Sequence, residues 1–477
     1  MEIPAAHPPS RPASSGTSGT GAVEQQPRAL LGYPRGAWLI IGVEFWERFS
    51  FYGMLAILAL FLTADPLHGG FGWSNGRALS LVGTYSGAMY AFPAFGGYLA
   101  DRVFGRRPAV AMGASVMLVG QWLLVYGAYA ASVRGFYAAL FFLILGNALM
   151  KSTLVVLCGE TFRADDPRRE GAFAYYYLGI SIGAMLSGIA VGLVSEHLGW
   201  AYGFAVGAVG MAIAFVLYVA LAPRWLRGIG DKTLSPSKTH SRSPPGEPSD
   251  RGADTRAGTR ETWWRIGLIL VLAALLCSFS TGWNQMPGSW TLFIQHSVNR
   301  SLGFFVVPVP WFSSINAVVV IMVAPLVAAL WVRLAARNRP VDIVQKYFFA
   351  LVMAMLGNLL MYWAGLIASH GVQAPLWMPL VAVSLLGLGE IVAWTATYGV
   401  VSRAAPAGFA SVTMGAWYLL TLGLGGYLAG VTGSWVDSVG FTTTFAGIAA
   451  AMALTAVVAL ILRNPLLRLA SRAGVAL

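Results

Sequence analysis

Twelve runs of about 20 or more predominantly apolar residues divide this chain, at 36–63, 76–101, 107–131, 136–159, 171–195, 201–222, 266–295, 305–333, 342–368, 376–402, 409–434 and 440–462. A helix of about 20 residues crosses the roughly 30 Å hydrocarbon core of a bilayer. In lipid every backbone polar group must be satisfied inside the element, so a chain patterned this way folds as a bundle of spanning helices. Composition agrees: 57% of residues are hydrophobic and 10% charged, against about 25% charged in ordinary soluble domains. The expected class is an all-α membrane protein with twelve transmembrane helices and the lipid bilayer as its solvent.

Loop charges orient the bundle. Of 31 Lys and Arg, Arg48 and Lys151 fall within spans, and Arg77, Arg134 and Arg300 fall in or beside loops on one side. The remaining 26 lie in the termini and the even-numbered connections, which the positive-inside rule places in the cytoplasm. Both termini are therefore expected in the cytoplasm of a multi-pass plasma-membrane protein, with a bacterial inner membrane as its setting. The net charge of +12 expresses this asymmetry and implies no nucleic-acid partner. Residues 1–34, rich in Pro, Ser, Gly and Ala and lacking an apolar h-region, read as a disordered cytoplasmic tail. Residues 224–265 carry nine basic residues among Ser-Pro and Pro-Pro-Gly steps and read as a cytoplasmic linker. It separates an N-terminal six-helix bundle, 35–223, from a C-terminal one, 266–463, and 464–477 forms a cytoplasmic C-terminal tail. Cys158 and Cys277 both lie in spans, where small apolar packing accounts for them.

Against this background three ionisable residues, Glu44, Glu47 and Arg48, interrupt the apolar stretch from Ala37 to Leu62. A charge at bilayer depth costs roughly 3 kcal/mol on insertion scales. The spacings i, i+3 and i+4 put all three on one helical face, which must look into protein or a watery cavity. The blander reading is a salt bridge that pins helices; the extra carboxylate favours a polar transport site. Lys151 in the fourth span and Glu390 in the tenth complete the intramembrane set, three acids against two bases. The uncompensated acid is the expected proton site, with Glu44 and Glu47 competing for Arg48. Lys151 and Glu390, in opposite halves, are expected to attract each other as a gate when the site is empty. All six histidines lie in tails, loops or helix ends. No nucleophile–base pair, metal-ligand cluster or phosphate loop occurs outside the spans, so neither an enzyme nor a metal or other cofactor is expected. The spacings Gly83-xxx-Gly87, Gly179-xxx-Gly183 and Gly188-xxx-Gly192 favour close helix packing.

Six plus six spans around a long central loop resemble the major facilitator superfamily, whose substrate site lies near the midplane between the halves. The segment from Gly96 to Arg107, with Asp101, Arg102 and Gly105, resembles that superfamily's motif between spans 2 and 3, with one residue more between Arg102 and Gly105. There Asp101 and the arginines would bridge helix ends and lock one conformation, while Gly105 permits the turn. Glu44-x-x-Glu47-Arg48-Phe49-x-Phe51-Tyr52-Gly53 resembles the ExxERFxYYG signature of proton-dependent oligopeptide transporters, with Phe51 for the first Tyr. Tyr90 with Pro93, Lys151, the segment Gln285–Thr291, Asn316, Glu390 and Trp417 match further family positions in order.

The resemblance implies that Arg48 and Lys151, with Tyr52 and Tyr90, receive a peptide carboxylate and that Glu390 and Asn316 take its amino terminus. It implies that Glu44 and Glu47 couple proton binding to release of Arg48, and that Trp417 walls a side-chain pocket. Four departures accompany it: Ser181 where the family usually has Asn, Thr395 for Pro, and Leu55 and Asn284 for a gate pair of Arg and an acid. Ser181, a shorter donor, weakens one expected backbone contact. Losing both gate charges leaves no orphan, so that gate is expected to close by apolar and hydrogen-bonded packing. The expected function is a monomeric proton-coupled symporter of di- and tripeptides. A carrier of a nitrate-like anion or drug-like molecule, and a membrane peptide sensor that does not transport, are the alternatives.

Overall fold

The computed structural model describes residues 30–163, 166, 168–230, 254–337, 341–404 and 410–475, and these are almost wholly helical. The expected tail at 1–29 and the linker core at 231–253 lie outside the described residues. Among the described residues 11 helices are long and apolar enough to cross a membrane. The remaining expected span, the second, is interrupted. Its helix Asn75–Ala91 ends after 17 residues, Pro93 opens the short helix Pro93–Leu99, and a wide turn over Ala100–Phe104 leads to Gly105. Proline removes a backbone donor and its ring crowds the preceding turn, so the span continues as pieces too short to count alone.

Local chemistry sets the ends. Ser74 and Ser132 accept hydrogen bonds from the backbone N–H of Arg77 and Gly135, capping spans 2 and 4. Asp342 and Gln345 form a reciprocal capping box at the start of span 9. Gly105, at φ 80°, makes the sharp joint from span 2 into span 3; a left-handed backbone suits glycine because no Cβ opposes it. Span 7 also breaks: Asp254–Trp283 ends before a wide turn, Met286–Trp290, in which Gly288 is non-helical, and Thr291–Ser297 completes the crossing.

Three boundaries differ from expectation. The helix of span 7 begins at Asp254, inside the stretch 224–265 expected as linker, so residues 254–265 extend that span as helix. Span 8 begins at Trp311 because Pro308 and Pro310 precede it and residues 301–306 fold back on themselves. The last helix, Val436–Arg472, turns at Gly440 and runs on through residues expected to form a tail. Leu466, Ala470, Ala473 and Val475 are buried there, and Arg265 Nε donates to the Ala473 carbonyl at 3.0 Å. The end of the chain is thereby tied to the start of span 7.

The halves meet along spans 2 and 11 and along spans 5 and 8. On the side away from both termini this packing is backbone-close. A Cβ built on Gly83 would stand 2.2 Å from Gly430 Cα, and one on Gly188 would stand 2.3 Å from Ser314 Oγ. Gly83→Val is therefore expected to keep each half intact yet prevent this seal, giving normal membrane insertion with lost substrate uptake. Wild-type uptake by the variant in vesicles would show that the seal is not part of the cycle.

Candidate functional site

Four charges from spans 1 and 4 meet in the N-terminal half. Glu44 lies nine residues into Arg35–Thr63, about 14 Å along the helix at 1.5 Å per residue. Lys151 lies nine residues from the matching end of Val133–Glu160, again about 14 Å. The two share a depth, and Lys151 Nζ donates to Glu44 Oε1 at 2.7 Å. Arg48 donates through Nε and Nη2 to the two carboxylate oxygens of Glu47, a bidentate pair. Its Nε also stands 3.6 Å from Glu44 Oε1. Glu44, Glu47 and Arg48 are fully buried, whereas the Lys151 side chain is 23% exposed and is the member that reaches open space. The Arg48 guanidinium carbon lies 4.7 Å from the centroid of Phe51 and 5.8 Å from that of Tyr52, so the apolar run itself supplies cation–π partners.

Within this cluster the charges balance, two against two. Glu47 holds Arg48 through both oxygens, and Glu44, 3.6 Å from Arg48, has in Lys151 from span 4 a second and closer cation. Glu44 Oε2 and the hydroxyl of Tyr176 on span 5 are both buried, and the two side chains lie in hydrogen-bonding reach of each other. Sequence reasoning missed Tyr176; its signal was its place in a run of three tyrosines, 175–177.

Of the intramembrane acids Glu44, Glu47 and Glu390, the one with no cation among the described residues is Glu390, thirteen residues into span 10, Trp377–Ala404, and about 20 Å from its start. Its Oε2 accepts from Trp283 Nε1 and from Asn316 Nδ2, each at 2.8 Å. The expected Lys151–Glu390 pair is absent from this conformation: Lys151 meets a closer carboxylate in its own half, and Glu390 is held by neutral donors. Tyr52 and Tyr90 stand in electrostatic reach of both Arg48 and Glu390, and Tyr177 neighbours Glu390. The arrangement is a cationic pole and an anionic pole with phenols between them.

Other expected site residues are spent elsewhere in this conformation. Ser181 Oγ donates to the Tyr177 carbonyl on its own helix at 3.2 Å. Trp417 is fully buried, with its indole nitrogen unpartnered, so it packs in the core and walls no open pocket. Asp101 accepts from Arg106 Nε at 2.7 Å, not from Arg102, whose guanidinium lies 6.0 Å from the Tyr98 ring centroid. Arg106 also bonds Glu160 at the end of span 4, so Arg106 is the bridging base of that loop.

Leu55 and Asn284 are buried and uncharged, and Asn284 Nδ2 donates to the Ser280 carbonyl one turn back on its own helix at 2.8 Å. Neither position carries a charge. An ion pair crosses the halves elsewhere on the same side: Arg300 Nη1 lies 3.5 Å from Glu196 Oε1 and donates to the Val307 carbonyl at 2.7 Å. Sequence reasoning placed Arg300 only as a loop charge.

Comparison with known proteins places the chain in a family. The profile of the POT family, PTR2, matches residues 107–233 and 257–451. The peptide transporter YePEPT of Yersinia enterocolitica is 27% identical and is matched over 93% of this chain and 96% of its own length. The dipeptide and tripeptide permease A of Escherichia coli is 25% identical over 83% of this chain and 84% of its own. A crystal structure of a peptide transporter POT in complex with sulfate superposes with a TM-score of 0.83 at 24% identity, covering 93% of this chain and 97% of that one. A POT family transporter in complex with 5-aminolevulinic acid gives 0.82 at 22% identity, over 92% and 98%. These superpositions establish the major facilitator fold of two six-helix halves, and the profile, spanning well over half of the sequence, establishes that the chain belongs to the POT family.

Proposed function

We propose that this protein is a proton-coupled symporter that imports di- and tripeptides by alternating access, not an enzyme, and that it works as a monomer in a bacterial inner membrane with both termini cytoplasmic. The carrying observation is the separation of charge. Arg48 and Lys151 lie in one half, and Glu390 lies in the other with, among the described residues, neutral donors on it. A zwitterion of peptide length satisfies both poles at once, its carboxylate on the bases and its ammonium on Glu390. An inorganic anion leaves Glu390 unmatched. The likeness to a peptide transporter of Yersinia and a dipeptide and tripeptide permease of Escherichia coli supports a peptide cargo.

The coupling follows from the pairing on span 1. With Glu47 ionised, both its oxygens hold Arg48 and the cluster is neutral. A proton on Glu47 cancels one negative charge and frees the guanidinium for the cargo carboxylate, which restores neutrality. The ammonium then neutralises Glu390. Proton and zwitterion together leave every one of these charges matched, whereas the zwitterion alone leaves one unmatched and the proton alone leaves two, Arg48 and Glu390.

Amidating a dipeptide's carboxylate removes the charge-assisted bonds to the bases. It is expected to weaken competition for uptake into proteoliposomes by about tenfold or more, about 1.4 kcal/mol. Equal inhibition by free and amidated dipeptide would overturn the peptide reading. Nitrate and a cationic dye, run in the same vesicles, report the alternative cargoes.

A further inference from the structure

The anionic pole is built with one more residue than the acid and its amide. Both donors on Glu390 land on the same oxygen, Oε2: Trp283 Nε1 from span 7 and Asn316 Nδ2 from span 8. An ionised carboxylate offers about four acceptor sites over its two oxygens. Two donors on Oε2 fix the carboxylate plane, since a rotation about the Glu390 side chain breaks both bonds together. Glu390 is itself part-exposed, and no Lys or Arg pairs with it among the described residues.

The indole is a stiff holder. It turns on only two side-chain torsions, is 7% exposed, and packs in the core. Its backbone is the last turn of the helix before span 7 breaks. Beyond the break, Gln285 Nε2 donates to Thr432 Oγ1 on span 11 at 3.0 Å, and Ser289 Oγ donates to Gln285 Oε1 at 2.6 Å. The position of the indole is thus set by the anchored bend of span 7 and not by Glu390 alone.

From this geometry we propose that Trp283 is a positioning residue for the cargo's amino group: its indole N–H holds Glu390 Oε2 so that Oε1 presents to a primary ammonium. The substrate class that follows is cargo with a free amino terminus. An N-acylated peptide brings no cation and only a single amide hydrogen, so it gains nothing from an oriented carboxylate. This inference rests on the zwitterionic-peptide reading above and adds a residue that reads one end of the zwitterion.

The test compares Ala-Ala with N-acetyl-Ala-Ala as substrates and competitors in proteoliposomes, for the wild type, Trp283→Phe, Trp283→Tyr and Glu390→Gln. The wild type is expected to prefer the free amine by about tenfold or more, the order of one charge-assisted contact. Trp283→Phe keeps an aromatic ring and loses the donor. It is expected to raise KM for Ala-Ala with kcat little changed, cutting the preference to about threefold or less while inhibition by N-acetyl-Ala-Ala stays the same. Trp283→Tyr retains a donor at the ring tip and is expected to recover part of the preference, which a purely packing role does not predict. Phe and Tyr variants that fall alike, for both ligands, overturn the proposal. So does a Trp283→Phe protein with undiminished preference; if Glu390→Gln has meanwhile lost it, the amine site stands and only Trp283's role falls. A wild type without preference overturns both readings together.

Discussion

Glu47→Gln is expected to abolish uptake driven by a proton gradient while leaving substrate exchange across the same membrane intact. Gln is nearly isosteric with the protonated acid and carries no charge, so it fixes the cluster in its proton-loaded form. Arg48 then loses the bidentate carboxylate that holds it and stands free for cargo in every cycle. Net accumulation requires that the proton leave before the empty carrier returns, and Gln has no proton to release. Exchange needs only that the loaded carrier shuttle, which the neutral side chain permits. Glu44 holds Arg48 less closely than Glu47 does, since its Oε1 is engaged by Lys151 at 2.7 Å and stands 3.6 Å from Arg48. Measuring counterflow and gradient-driven uptake in one vesicle preparation decides the matter. A Glu47→Gln protein that accumulates dipeptide against its gradient removes Glu47 from the proton path.

The fold was legible wherever it depends on local sequence. Run length alone marked the spans, because lipid selects for apolarity all round the helix. The grouping of Glu44, Glu47 and Arg48 was readable for a related reason: one turn of helix relates them. The pairing of Lys151 with Glu44 was not, since those residues are 107 apart in sequence, and no periodicity reports which spans touch. The same holds for Trp283 on Glu390 and for Arg300 beside Glu196. At 464–472 the signal existed and was outweighed. Leu466 and Ala470 recur one turn apart on a buried face, but Pro465 and the arginines at 463, 468 and 472 read as a basic tail. The interruption of span 2 at Pro93 was visible as a proline, and its consequence depended on where the preceding turn happened to end.

Removing the second cation tests whether the N-terminal cluster is scaffold, binding surface or both. Lys151→Ala leaves Glu44 buried beside a single arginine whose two bonds already go to Glu47. Breaking a buried pair by deleting one partner destabilises by roughly 3–5 kcal/mol, because the survivor stays charged in low dielectric. Lys151 is 23% exposed, so the lower end of that range applies. The expected result is a markedly lower unfolding temperature in detergent together with lost uptake. Pairing the change with its complement separates the two causes. Lys151→Met combined with Glu44→Gln removes both charges, leaves no orphan, and is expected to restore most of the stability. It is not expected to restore peptide uptake, because the cationic pole then holds Arg48 alone and the cargo carboxylate loses one of its two partners. Wild-type uptake by the stable double variant would confine Lys151 to holding Glu44 in place and leave Arg48 as the sole receiver of the carboxylate. An unfolding temperature unchanged by Lys151→Ala alone would mean that the 2.7 Å contact with Glu44 contributes nothing to the folded state.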